Sequence, residues 1–163
     1  MNTLNSARTL ATPVTHPQPS SPDFRWLASL PYRDSLELGA YDTAPMMARA
    51  WLATLLREWS LTEFNDVAAL IASELISNAV AATAKLPWPA GLPPVGLWLH
   101  AGPGVVAMLV GDAVVAAPVP REAAEDEESG RGLFLVGQLS DRWGFYFTAG
   151  FDGKVIWVVI RTP

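Results

Sequence analysis

Between Ser60 and Lys85 the apolar residues Phe64, Val67, Leu70, Ile71, Leu75, Ala79 and Ala82 recur every three or four positions, the period of one helical face. Ser60 with Glu63 three residues on has the form of a capping box, so the spacing predicts one long helix packed on a core. A helix ahead of it is opened by Asp42-Thr43 and Pro45 and runs through Met46, Met47, Ala50, Leu52, Leu55 and Leu56 to Trp59. Ser35 to Ala40 reads as a strand. Leu97 to His100 and Val105 to Val110, joined by Ala101-Gly102-Pro103-Gly104, read as a hairpin. A third helix is predicted from Leu133 to about Leu139, followed by strands Phe145 to Thr148 and Val155 to Ile160. Their connection, Phe151-Asp152-Gly153-Lys154, holds an Asp-Gly pair that favours a tight turn. Helices segregated from a mixed, mainly antiparallel sheet predict an α+β fold, a two-layer sandwich with helices covering one face of the sheet.

Composition narrows this picture. The 163 residues are 50% hydrophobic and 17% charged, which suits one compact domain. Residues 1–22, rich in Ser, Thr, Pro and Asn, read as a disordered leader, leaving residues 23–163 as the domain. The leader lacks an apolar run of signal-peptide length, and no stretch reaches the roughly 18 apolar residues of a membrane span, so a cytoplasmic protein without a membrane partner is expected. Pro87, Pro89, Pro93 and Pro94 forbid helix and predict an extended connection within the domain. A net charge of −5, with no basic stripe, argues against direct nucleic-acid binding. Zero cysteines exclude disulfides and thiolate metal sites, and His16 and His100 are too few for a zinc site.

The candidate chemistry lies where polar residues interrupt these patterns. At about 100° per residue, Glu74 and Asn78 fall one turn apart and, on this reading, within the apolar stripe of the long helix. Burying such groups without partners costs several kcal/mol. Either they form a hydrogen-bonded pair tethering two core elements, or they line a cavity that holds something polar. An amide oxygen such as that of Asn78 can ligate Mg²⁺, and a carboxylate such as that of Glu74 can orient or deprotonate a nucleophile. Asp112, where the hairpin opens into a loop, is placed to accept from the exocyclic amine of a base, or to cap the following turn. Ser129-Gly130-Arg131-Gly132-Leu133 reads as a loop that turns abruptly into a helix, whose unpaired N–H groups and dipole welcome an anion; the alternative is a flexible loop with no ligand.

Glu74-Leu75-Ile76-Ser77-Asn78-Ala79 on a helix, Asp112 after a hairpin, then Gly130-Arg131-Gly132-Leu133 before another helix: in this order the chain resembles the GHKL, or Bergerat-fold, ATP-binding superfamily. That superfamily includes histidine-kinase catalytic domains, heat-shock chaperones, type II topoisomerases and mismatch-repair ATPases. Within it the chain is most similar to the small anti-sigma-factor-like serine kinases and their relatives in high-GC Gram-positive bacteria. The likeness runs from about residue 33 to residue 161, and its most specific parts are Gly130 to Leu135 and Asp141-Arg142-Trp143-Gly144.

The resemblance implies ATP and Mg²⁺ as cofactors. It implies that Asn78 holds the Mg²⁺ bridging the phosphates and that Glu74 is the general base. Asp112 would bond the adenine amino group, and the backbone of Gly130, Arg131, Gly132 and Leu133 would enclose the phosphates under a lid spanning Val114 to Ser129. The implied partner is a sigma factor or its anti-anti-sigma-type antagonist, and small relatives often form homodimers. The chain departs from the pattern at Val114 and Ala116, where relatives carry glycines, and near Ala81 and Ala82, where they often carry a basic residue. A loop without glycine approaches a ligand less freely.

Three functions follow: a protein-serine kinase, a nucleotide-gated module that sequesters a regulator, and a scaffold that keeps the fold without nucleotide. Among the aromatic residues, Trp51, Trp59, Trp98, Trp143 and Trp157 are expected in core or edge packing, and Trp26 and Trp88 in loops. Arg25, Trp26 and the pair Met46-Met47 mark either a partner surface or, for the methionines, core packing of the first long helix.

Overall fold

A computed structural model describes residues 24–87, 93–118, 131–148 and 153–162. The expected leader, Trp88, residues 119–129 of the expected lid, Gly130 and the Asp152 turn position lie outside the described residues.

Five strands form one sheet: β1 (Tyr32–Gly39), β2 (Pro94–Gly102), β3 (Val105–Asp112), β4 (Arg142–Phe147) and β5 (Lys154–Arg161), in the order β1-β2-β3-β5-β4. Every neighbouring pair is antiparallel, so the sheet expected to be mainly antiparallel is wholly so among the described residues. The hairpin between β2 and β3 closes on Pro103-Gly104, with Gly104 at φ 73°, a region glycine enters without a Cβ penalty. Three α-helices, α1 (Ala44–Glu58), α2 (Asn65–Thr83) and α3 (Arg131–Leu139), complete an α+β two-layer sandwich.

The main core lies between the helices and one face of the sheet. Alternation puts Val95, Leu97, Leu99, Val106, Met108, Val110, Ile156, Val158 and Ile160 on that face, against Leu52, Leu56, Ile71, Leu75 and Ile76 of α1 and α2. By length and composition the helical run Thr62–Thr83 would pass for a membrane span, which a count of uninterrupted apolar residues missed because Glu74, Ser77 and Asn78 break the run. Its apolar face is a core face here, buried against the sheet and the flanking helices.

The opposite face of the sheet is also apolar. Val105, Ala107, Leu109, Val155, Trp157 and Val159 form a second cluster, covered by Phe24, Trp26, Leu27 and Leu30 around a short 3-10 helix, Arg25–Ser29. Trp26, expected in a loop, is therefore a half-buried part of this cover, whereas Met46 and Met47 are exposed at the start of α1 beside the exposed Tyr41. Trp98 lies flat over the cross-strand pair Gly96 and Gly111, where any Cβ would meet its ring.

The capping box does not form. Ser60 takes φ 58° and belongs to the end of α1: its N–H donates to Arg57 O, and Leu61 N–H donates to Leu56 O, the paired bonds of a Schellman cap. A single turn of 3-10 helix, Thr62–Phe64, then leads into α2, whose N-terminus has no side-chain cap. Satisfying the last carbonyls of α1 wins over the local Ser-Glu pairing.

Candidate functional site

Glu74 and Asn78 do not sit within the buried stripe of α2. That stripe is Ala68, Ile71, Ala72, Leu75, Ile76, Ala79, Val80 and Thr83; Glu74 is half-buried and Asn78 exposed at its flank. The pattern misled because alanines on both sides of the helix widened the apparent apolar face.

The flank they occupy faces the start of α3. A Cβ built on Gly132 would lie 2.6 Å from Oε2 of Glu74 and 3.3 Å from Nδ2 of Asn78, so only glycine lets the backbone of α3 approach these two side chains so closely. The four residues thus meet as a group: the Glu74 carboxylate, the Asn78 amide, and the backbone at Gly132 in the first turn of α3, anchored by Leu133. The Leu133 side chain is buried in the main core, leaving its backbone as the part that can serve a ligand. The first N–H groups of a helix have no intrahelical acceptor, so an anion held here would meet free donors. Gly130 lies outside the described residues, and Arg131 is placed by its backbone as the first residue of α3.

Asp112 closes β3, and strand alternation turns its side chain to the helix-covered face, in line with Val106, Met108 and Val110. Both proposed uses of this residue have to be weighed against its partners. Its Oδ1 accepts the Val114 N–H at 2.9 Å, so it caps the turn that follows the strand. The Nζ of Lys154, its cross-strand neighbour at the start of β5, donates to Oδ1 and Oδ2 at 2.9 Å each. The side chains are only 7% and 4% exposed for Lys154 and Asp112, which makes this a buried, bidentate ion pair. Replacing a glycine by Val114 is compatible with this arrangement, because the loop bond uses its backbone N–H alone.

The Asp-Gly pattern places Lys154 at the end of a turn, whereas it is the first residue of β5. A lone lysine at the head of an apolar run reads as a solvated strand end; only the register that pairs it with Asp112 reveals it as buried.

Among the described residues no three His, Asp or Glu side chains converge to form a metal site. Asn78 could contribute one oxygen to Mg²⁺, which keeps several waters and is commonly shared with substrate phosphates rather than caged by protein. An exposed amide beside a helix N-terminus fits that kind of partial coordination. Compared with protein-family models and with curated protein sequences, the chain matches none.

Proposed function

We propose that this chain is an Mg-ATP-binding regulatory protein of the anti-sigma-factor and serine-kinase type, which holds nucleotide between α2, β3 and the start of α3. The observation that carries the reading is the close approach of Gly132 to Glu74 and Asn78, residues far apart in sequence that the resemblance assigns to one site. In this reading Asn78 holds Mg²⁺, the backbone from Gly130 to Leu133 binds the phosphates, and Asp112 reads the base. The metal, when bound, neutralises phosphate charge as the terminal group is transferred. Where transfer occurs, Glu74 would take the proton of a partner's seryl hydroxyl as its oxygen bonds to the γ-phosphorus, the bond from that phosphorus to the β-phosphate oxygen breaks and ADP leaves.

The partner is a sigma factor or its anti-anti-sigma-type antagonist in the cytoplasm, and the chain is a candidate homodimer. Met46 and Met47, exposed in the first turn of α1, are a suitable apolar contact for such a protein.

A specific observation favours a second reading. Because Lys154 already occupies both oxygens of Asp112, the chain is alternatively a scaffold that keeps the fold without nucleotide. Thermal unfolding with increasing Mg-ATP separates the two, since a ligand that binds only the native state raises the midpoint with concentration. A midpoint unmoved at millimolar Mg-ATP leaves the scaffold. Incubation with labelled ATP and candidate antagonists then tests transfer: label on a partner serine, slowed by Glu74→Gln, supports the kinase, and undiminished transfer removes Glu74 from its role.

A further inference from the structure

We infer that Lys154 is part of the base-reading end of the site, forming with Asp112 a buried donor–acceptor pair that takes the amidine edge of a base: an exocyclic amine beside a ring nitrogen. The inference rests on the nucleotide-binding reading above and adds to it a residue outside the resembled motifs. Hydrogen-bond capacity carries the argument. An ammonium has three N–H donors, and the carboxylate accepts two of those of Lys154, leaving the third without a partner among the described residues. On Asp112, Oδ1 is filled by Lys154 and the Val114 N–H, whereas among the described residues Oδ2 accepts from Lys154 alone and retains a lone pair. Both side chains are almost fully buried, so bulk water is a poor source of the missing partners.

A ligand amine that displaced Lys154 from Asp112 would strand a buried ammonium, which is strongly unfavourable. A ligand therefore has to join the pair. It does so when its amine donates to the open lone pair of Oδ2 while the adjacent ring nitrogen accepts the third Lys154 N–H. Adenine presents these two groups side by side.

Position agrees with this use. Lys154 and Asp112 both project to the helix-covered face of the sheet, the face that α2 covers with Glu74 and Asn78 at its flank. Opposite Lys154 in register stands Phe147, half-exposed on the same face, with Phe145 edge-on to it at a centroid distance of 5.7 Å. These exposed rings beside Lys154 offer an apolar surface suited to the flat face of a base.

The test compares binding of ATP with that of an analogue in which the ring nitrogen next to the amine is replaced by C–H. The wild-type protein should bind the analogue about tenfold more weakly or worse, the loss of one hydrogen bond to a charged donor. In the double variant Asp112→Asn with Lys154→Met, which retains an acceptor and leaves no unpaired charge, the two nucleotides should bind equally. Equal binding of both by the wild-type protein would overturn the role of Lys154 while leaving ATP binding intact. Absence of ATP binding would overturn the nucleotide reading and this inference together. Should the double variant fail to fold, the wild-type comparison decides alone.

Discussion

Gly132 is the residue on which the geometry of the site turns. Its missing side chain lets α3 close on Glu74 and Asn78, and a methyl group there would meet the flexible end of a carboxylate rather than backbone. Gly132→Ala should therefore leave stability within about 1 kcal/mol, helped by the better helix propensity of alanine. On the kinase reading, the displaced carboxylate should lower phosphoryl transfer about tenfold or more, because small misplacements of reacting groups cost rate. Paired thermal unfolding and transfer assays check both halves. Tyr146 makes a different prediction. Burial against the outer apolar cluster pushes its phenol up to about 12 from an ordinary value of 10.0. The unfolded chain then gives up this proton first as pH rises, so its contribution to stability is whole below pH 10.0 and fades as pH climbs toward about 12. Phenolate absorbance during alkaline titration should show a late component that Tyr146→Phe removes.

The elements repeat the lesson that tertiary satisfaction overrides local signals. Ser60 occupies a left-handed conformation at the end of α1, where L-residues are strained by roughly 1–2 kcal/mol. Ser60→Gly should raise stability by about 0.5–1 kcal/mol, less than the strain because glycine adds unfolded-state entropy; urea denaturation measures it. The same position explains why the boundary before α2 was misread, since a Ser-x-x-Glu pattern carries no information about the helix that ends beside it. Strongly periodic or uniformly apolar segments were legible: α1, α2, the β2–β3 hairpin and β5 fall where residue patterning places them. The cover over the outer face was not, because Arg25–Ser29 is too short to show a period. Within the site, Glu74, Asn78, Asp112 and Gly132 could be picked out by residue type and order. Lys154 could not, because its meaning depends on which strand lies beside β3.

At the scale of the molecule, burial of the central strands on both faces explains why β3 and β5 read as unbroken apolar runs rather than alternating ones. Leu27 is the buried centre of the outer cover, and Leu27→Ala should cost about 2–4 kcal/mol in chemical denaturation while leaving the proposed nucleotide binding in place, because the candidate site residues lie on the other side of the sheet. On the proposed reading the outer face contributes stability alone, whereas the helix-covered face carries the main core and, at the flank of α2 beside α3, the ligand. The most direct test of this division of labour is calorimetric titration of wild type and Asn78→Ala with ATP, each with and without magnesium. The account predicts saturable binding to wild type that strengthens with magnesium, and a magnesium effect lost in Asn78→Ala. Wild-type protein that gives no binding heat and does not retain ATP under either condition would contradict it.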